Sequence, residues 1–277
     1  NCLGMLIVER GPHGDTAHDE RAVNLQCIPY RSQVERCAYI GVFDQNRRPL
    51  NRTHPRGRPL PEGAFHVVSE VWVADLQNRL LLTLRAPQKE ISPGLWEATA
   101  GSVLAGESSR EGAVRELHEE TGLAADPAAL HLIGVAQTAG VFVDVYVLRL
   151  DVQHVTLQPG ETEDFRMVTL SELDDMGRRG LLAPHILRHL SLFEEQLRFF
   201  LEPSLSPGLY RHYKGNVYEL VCMARHSETL EPMVIYRPAD GTGGAWARPA
   251  AMWFDAVPQG GSFVRRFSKL ARHRPAF

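Results

Sequence analysis

The chain carries GSVLAGE at residues 101–107 and RELHEETGL at residues 115–123, and these two segments are the most informative stretch of its sequence. Ser108 followed three residues later by Glu111 is the pattern of a capping box, which predicts the start of a helix. Gly122 is typical of the residue that ends one, because glycine adopts the left-handed conformation without steric cost. The spacing therefore predicts a helix over residues 110–121.

On that helix, Glu116, Glu119 and Glu120 fall within about 60° of one another on a single face. Like charges spaced i, i+4 weaken an isolated helix by about a few tenths of a kcal/mol, and carboxylates near a helix C-terminus also oppose the macrodipole. A hard divalent cation such as Mg²⁺ reverses the sign of this effect, because it prefers carboxylate oxygens as ligands. The pattern therefore indicates a metal site, although a solvated acidic helix would account for three glutamates alone.

Two further charged residues lie near this acidic face. Arg115 precedes Glu119 by four residues and can orient its carboxylate without joining a metal. Glu107 lies on a loop between glycines, and that loop can fold back towards the helix.

The combined pattern resembles the signature of the Nudix hydrolase family, G-x5-E-x7-R-E-U-x-E-E-x-G-U, in which U is aliphatic. Every specified position matches, including Leu117 and Leu123, and the resemblance extends from about residue 35 to residue 200. It implies an α/β fold, namely an α/β/α sandwich with a mixed sheet. It also implies bound Mg²⁺, with Mn²⁺ as the alternative. The implied reaction is hydrolysis, in which metal-activated water attacks a nucleoside diphosphate that is linked to another moiety.

The resemblance also implies roles for individual residues. Glu116, Glu119 and Glu120 resemble the metal ligands, and Glu107 resembles an accessory ligand or an orienting group. Arg115 resembles the residue that holds a glutamate in place, so Arg115, Glu116 and Glu119 are predicted to be catalytic.

The general base stays open between a glutamate of this motif and a carboxylate on a distant loop. Glu161, in the run ETED at residues 161–164, is the distant candidate, and the same run could equally be a polar turn.

Segments upstream of the motif resemble a branch of Nudix proteins close to isopentenyl-diphosphate isomerase; they are residues 56–57, His66, residues 84–89 and residues 93–97. That enzyme uses a cysteine at the end of the strand before the motif. Residues 96–102 of this chain, WEATAGS, contain no cysteine. Isomerisation is therefore disfavoured, and hydrolysis is favoured.

Three side chains in these segments are candidates for binding the substrate. Arg85 and Lys89 could bind its outer phosphates, or could be solvated charges beside a loop. Trp96 could stack on a base, as could Tyr146, although aromatic residues on strands are more often part of the core.

Composition excludes several classes of protein. The chain has 277 residues, 44% of them hydrophobic and 23% charged, with a formal net charge of −3, which is ordinary for a globular protein and excludes a disordered one. It has no apolar run long enough to cross a membrane. Its four cysteines form no C-x-x-C pair, which favours a reducing cytoplasm.

Hydrophobic periodicity predicts the remaining elements and the domain organisation. Strands are expected at residues 66–73, 80–84, 95–103, 132–138, 141–150 and 164–168, and an amphipathic helix at residues 186–200. We predict an irregular leader at residues 1–33, a Nudix domain at 34–200, a linker at 201–208 and a small all-β domain at 209–277.

The C-terminal region differs in charge from the rest of the chain. From Tyr210 onward it has eight arginines and two lysines against five acidic residues, a balance of +5, so the preceding residues carry −8. Residues 208–270 resemble a short bacterial domain family of unknown function, for which we expect a compact β-barrel.

Arginines among aromatic residues are able to bind phosphate, a nucleotide or single-stranded RNA, and a structural or docking module is the alternative. Two further functions therefore stay open beside hydrolysis of small nucleotides. One is a nucleotide sensor or adaptor without turnover, and the other is a pyrophosphohydrolase acting on RNA ends.

Overall fold

The structure, a computed structural model, describes residues 39–229 and 231–270. The predicted leader at residues 1–33 lies outside the described residues, as do three of the four cysteines. Cys222 is exposed, with a free thiol. In the part of the chain that the structure describes, no helix combines the length and apolarity needed to traverse a bilayer.

The N-terminal part of the described chain is built on a mixed seven-stranded sheet. Its helices are α1 (Ser109–Thr121), α2 (Leu170–Arg178) and α3 (Pro184–Leu201). Its strands are β1 (Tyr39–Phe43), β2 (Pro49–Pro55), β3 (His66–Ala74), β4 (Leu80–Arg85), β5 (Trp96–Glu97), β6 (Thr99–Ser102), β7 (His131–Thr138), β8 (Val141–Arg149) and β9 (Thr162–Val168).

The strand order in the large sheet is β5-β4-β3-β8-β7, with β6 paired to β3 and β9 paired to β4. The central strands β3 and β8 are parallel, from His66 opposite Val141 to Ala74 opposite Arg149, and the other pairings in this sheet are antiparallel. β1 and β2 form a separate hairpin.

Two apolar layers lie on opposite faces of this sheet, because successive side chains of a strand alternate in direction. Val71 and Val73 of β3 pack in a cluster with Leu117 of α1. Trp72 lies between them in sequence and belongs to the opposite cluster, with Ile186 of α3. The expected α/β/α sandwich is therefore confirmed.

The capping pattern of α1 is present as predicted. The Ser108 hydroxyl accepts the Glu111 N–H at 3.3 Å, and the Glu111 carboxylate accepts the Ser108 N–H at 2.7 Å. Gly122 has a φ of 72°, and its N–H donates to the His118 carbonyl at 2.8 Å. Local sequence thus determines both ends of the helix that carries the glutamates.

All six predicted strands are present, with one difference. The segment at residues 95–103 is divided at Ala98 into β5 and β6, because β5 pairs with β4 and β6 pairs with β3. The hairpin β1–β2 and the helix α2 were not predicted. β2 is mostly exposed and lacks apolar alternation, whereas α2 has a capping box of Thr169 and Glu172 that would have located it.

The C-terminal part is all β, as predicted. Its strands are β10 (Gly208–His212), β11 (Val217–Arg225), β12 (Pro232–Pro238), β13 (Trp246–Pro249), β14 (Ala256–Gln259), β15 (Ser262–Arg265) and β16 (Phe267–Lys269). Five of them form an antiparallel sheet in the order β13-β12-β11-β10-β16. Its core is aromatic: the Trp253 and Phe267 rings are stacked 3.9 Å apart, and Tyr236 packs against both.

Helix α3 connects the two parts through side-chain contacts. The Phe199 ring packs 4.8 Å from Phe254, and Glu195 accepts a hydrogen bond from Arg265 at 2.6 Å. Phe199 is buried in the aromatic core of the C-terminal part. The domain boundaries given above remain predictions.

Candidate active site

Glu116 lies directly over β6 because residue 101 is a glycine. A Cβ atom at Gly101 would stand 1.9 Å from the Glu116 carboxyl carbon. Any larger residue there would displace this carboxylate, which is only 6% exposed. The first glycine of the motif therefore makes room for one of its glutamates.

Arg115 organises the carboxylates around it. Its guanidinium donates to both oxygens of Glu107, at 2.8 and 3.1 Å, and to Glu116 at 2.7 Å and Glu119 at 3.2 Å. It also donates to the Ser102 carbonyl at 2.9 Å, which fixes the side chain against β6. Burial opposes its charge, but the hydrogen bonds to Glu107 and Glu116 outweigh burial and raise the pKa of Arg115.

Glu107 has a further partner in the loop before α1. Its Oε2 accepts the Leu104 N–H at 3.0 Å, so both of its oxygens are bonded within the protein. The resemblance implies that Glu107 is either an accessory metal ligand or an orienting group. These hydrogen bonds match the orienting role, which stays a prediction.

Glu116 and Glu120, two of the three helix glutamates, are buried, and their partners do not fully offset the cost of burying a carboxylate. Burial raises the pKa of Glu116, and the neighbouring charge of Glu119 adds to the rise, against the effect of Arg115. The pKa of Glu120 is raised well above its ordinary value, first by burial and then by the charges of Glu97 and Glu116. One oxygen of Glu120 is buried without any hydrogen-bond partner. Such a group is costly unless a ligand compensates it.

A cavity of about 140 Å³ opens over these carboxylates, and we call it the acidic cavity. It brings together six of the predicted site residues, which come from β4, α1 and the loops after β4 and before β9. They are Arg85, Lys89, Glu116, Glu119, Glu120 and Glu161. The two other charged residues of the motif, Glu107 and Arg115, adjoin it through their bonds to Glu116 and to each other.

The two predicted phosphate-binding cations are each ion-paired with a glutamate that also lines this cavity. Arg85 donates to Glu97 at 2.5 Å and to the Ile91 carbonyl at 2.8 Å. Lys89 is paired with Glu161, the distant base candidate. Neither cation is simply a solvated surface charge, since each is held facing the acidic cavity by a carboxylate partner.

Trp96 does not line the acidic cavity. It is 6% exposed in the core, and the Arg166 guanidinium covers its ring at 4.7 Å. Tyr146 is 3% exposed in the opposite apolar layer. Burial leaves neither ring an accessible face, so we do not retain base stacking for them.

Glu97, Arg56 and Gln158 also line the acidic cavity and were not among the predicted site residues. Glu97 is 3% exposed and lies 3.3 Å from the Nε2 atom of His185 on α3. Strand alternation could have indicated Glu97, because its neighbour Trp96 is a core residue. Arg56 lies in the segment at residues 56–57 that carries the branch resemblance, but no site role was assigned to it, and no local signal indicates Gln158. Both residues reach the cavity from loops.

The donor set at the acidic cavity fits a hard divalent cation. Mg²⁺ and Mn²⁺ take carboxylate oxygens, and Glu116, Glu119 and Glu120 offer them around one cavity, with an unpartnered oxygen on Glu120. Among the described residues, no three His, Cys, Asp or Glu side chains are already arranged as a complete ligand set. Arg115 holds one oxygen of Glu116 and one of Glu119, for which a cation would compete.

An α/β/α sandwich whose glutamate-bearing helix lines an acidic cavity that also holds cations is typical of hydrolases acting on phosphoric anhydrides. A family model described as the NUDIX domain matches residues 64–190. An uncharacterised Nudix hydrolase of Listeria monocytogenes is 33% identical over 147 residues, which cover 52% of this chain and 87% of the relative. The chain belongs to the Nudix hydrolase family, whose members generally act on nucleoside diphosphate derivatives.

Two further similarities concern the isomerase branch and the C-terminal part. An isopentenyl-diphosphate isomerase of Cutibacterium acnes is 28% identical over 149 residues, which cover 48% of this chain and 75% of that enzyme. A family model described as a protein of unknown function (DUF1653) matches residues 208–269. A solved DUF1653 structure from Bordetella bronchiseptica is 32% identical, covering 26% of this chain and 96% of that one, with a TM-score of 0.24.

Proposed function

We propose that the protein is a Mg²⁺-dependent hydrolase that cleaves the diphosphate linkage of a nucleoside diphosphate joined to another moiety. The observation that carries this proposal is the acidic cavity, where Glu116, Glu119 and Glu120 face the cations Arg85 and Lys89. Carboxylates for a metal and cations for phosphate oxygens in one cavity match what phosphoryl transfer requires, namely positioning and neutralisation of charge.

Glu116, Glu119 and Glu120 would hold the cation, Mg²⁺ or alternatively Mn²⁺. When bound, the cation supplies Lewis acidity, which activates water and offsets charge on the phosphate oxygens. Arg115 positions Glu116 and Glu119, and Glu107 in turn positions Arg115.

Arg85 and Lys89 are then the groups of this chain that bind the outer phosphate oxygens. In the reaction, the water oxygen forms a bond to one phosphorus while the bridging phosphorus–oxygen bond breaks. Two phosphate products leave, and one proton is released from the water. Glu161 is our candidate for accepting that proton, and its pairing with Lys89 holds it at the wall of the cavity.

The experiment is a panel of nucleoside-diphosphate-linked compounds assayed with Mg²⁺ and with Mn²⁺, with the products identified. We expect metal-dependent cleavage into two phosphate products and a loss of turnover in Glu119→Gln. Glu194→Gln is a matched control, because Glu194 is also an exposed helical glutamate in an i, i+4 pair with an arginine. Full turnover of Glu119→Gln, or turnover without metal, would refute the proposal.

The same panel separates the alternatives. Binding of a nucleotide without any product would support a sensor or adaptor. Release of pyrophosphate from triphosphorylated RNA, weakened by salt, would support action on RNA ends with the basic C-terminal part as the RNA contact. Isomerisation is not supported, because the described segment at residues 96–102 has no cysteine.

A further inference from the structure

A second and larger cavity lies beside the acidic cavity. It has a volume of about 490 Å³, which is within the range of small-molecule sites. Its walls come from β1, from the loop between β2 and β3, from the start of β3 and from the β7–β8 turn. We call it the hairpin pocket, and we describe it by Arg56, Arg58, Glu62, His66 and Ser102, its polar lining residues.

The hairpin pocket and the acidic cavity are adjacent. Arg56 lines both of them. Ser102 of β6 lines the hairpin pocket, and Ala100, two residues earlier on the same face of the strand, lines the acidic cavity. A molecule whose diphosphate occupies the acidic cavity can therefore reach the hairpin pocket with its second moiety.

The charge of the hairpin pocket favours an anion. Arg56 and Arg58 are exposed, and neither has an ion-pair partner among the described residues, whereas Arg85, Lys89 and Arg115 are all paired. Glu62 is the sole acidic residue among those that line this pocket. Two unpaired guanidiniums at the mouth of a cavity match the planar recognition of phosphate by arginine.

His66 adds a hydrogen-bonding group to the wall. Burial lowers the pKa of the His66 ring, and the nearby charge of Arg56 lowers it further, although the Val67 backbone opposes this shift. The lowered pKa favours the neutral ring, so the positive charge of the pocket comes from the arginines.

The lining of the hairpin pocket contains no Phe, Tyr or Trp, so it lacks the large aromatic rings on which nucleobases stack best, and His66 supplies its one aromatic ring. Phe142 belongs to a separate buried cluster, and the partly buried Phe43 and Phe65 pack against that cluster. The pocket thus suits a polar, non-aromatic group rather than a base.

We infer that the hairpin pocket binds a phosphate carried by the second moiety of the substrate, such as a sugar phosphate, with Arg58 as the specificity residue. This inference rests on the proposed function, and it narrows the substrate to nucleoside diphosphates whose other moiety is itself phosphorylated. Arg58 lines the hairpin pocket but not the acidic cavity, so its substitution tests the inference without touching the metal site.

The test compares ADP-ribose with ADP-ribose phosphorylated on its distal ribose, for the full chain with Mg²⁺. We expect kcat/KM to favour the phosphorylated compound by about tenfold, the effect of one good charge-assisted contact. Arg58→Ala should abolish this preference by raising KM for the phosphorylated compound alone, with kcat unchanged, and Arg58→Lys should restore part of it. Arg52→Ala, an exposed arginine on β2 outside both cavities, is the control and should keep the preference.

Equal kcat/KM values for the two compounds in the wild type would overturn the inference while leaving the proposed function standing. So would an equal loss for both compounds in Arg58→Ala. A binding measurement covers the case in which neither compound is cleaved. Ribose 5-phosphate is titrated calorimetrically into the metal-free protein, and weaker binding to Arg58→Ala than to wild type supports the pocket. Binding that is the same for both proteins, or absent from both, refutes it.

Discussion

Two buried carboxylates of this molecule, Glu120 of α1 and Glu70 of β3, are treated by the fold in opposite ways. Glu70 is 0% exposed, accepts the Trp72 indole N–H at 2.8 Å and lies 2.6 Å from the Nδ1 atom of His189 on α3. Glu120 is nearly as buried, yet one of its oxygens has no partner and its neighbours include other carboxylates.

This difference in partners indicates different roles for Glu70 and Glu120. Trp72 of β3 and His189 of α3 give each oxygen of Glu70 a partner, so a buried carboxylate can be satisfied inside this fold. Leaving Glu120 unsatisfied lowers the stability of the chain by itself and makes sense if a cation completes the site. We therefore interpret the Glu70–His189 pair as structural and the Glu120 region as a binding site.

Glu120→Gln carries the largest expected effect. The metal site loses one of its three carboxylates, so kcat/KM should fall by at least about a hundredfold. Even residues that only hydrogen-bond to a metal ligand commonly contribute 10–100-fold to affinity or activity. The free energy of unfolding of the metal-free protein should stay the same or rise, because a buried charge near Glu97 and Glu116 is removed. Steady-state turnover and urea unfolding in a chelator measure the two quantities. A destabilised variant that keeps its turnover would reverse our interpretation of the comparison.

His189→Leu should show the converse behaviour. It removes the His189 partner of the buried Glu70 carboxylate, and breaking a buried pair in this way lowers stability by about 3–5 kcal/mol. Turnover per folded molecule should change little.

The control for that experiment is the double variant Glu70→Gln/His189→Leu, which removes the buried carboxylate and keeps an amide oxygen to accept the Trp72 N–H. It should recover much of the lost stability, as measured by urea unfolding. If the double variant is no more stable than His189→Leu, packing rather than charge determines the cost at this position.

The pH dependence of stability should give the smallest effect. A glutamate whose pKa is raised by folding stabilises the folded state below its ordinary pKa, and this stabilisation is lost as the pH rises through the raised value. Burial raises the pKa of Glu116 and, more strongly, that of Glu120. The metal-free protein should therefore lose stability as the pH rises from about 4.5, the region of an ordinary glutamate.

The readout is the difference between wild type and Glu120→Gln in urea unfolding across this pH range. The variant should have the flatter profile, and Mg²⁺ should stabilise the wild type most at the upper end, where the carboxylates are ionised. A variant profile as steep as that of the wild type would show that Glu120 is not the group responsible.

Much of the fold could be predicted from local spacing. The ends of α1 follow from Ser108, Glu111 and Gly122, and the strands with clear apolar runs appear at the expected positions. Strand β2 was not predicted because its residues are mostly polar and exposed, so its sequence has no alternation of apolar and polar residues. Trp96 was offered as a stacking residue because sequence alone does not say which face of a strand becomes the core.

The sequence by itself determined the helix with its three glutamates, the family to which the chain belongs and the opposite charges of its two parts. These depend on residue types at fixed short spacings, and helical geometry converts such spacings into a common face. Only the tertiary structure decided that Gly101 makes room for Glu116, that Glu97 and Arg56 join the site, and that an arginine-bearing pocket adjoins it. Those contacts join residues far apart in the chain, and the pairing of strands, rather than any local pattern, brings them together.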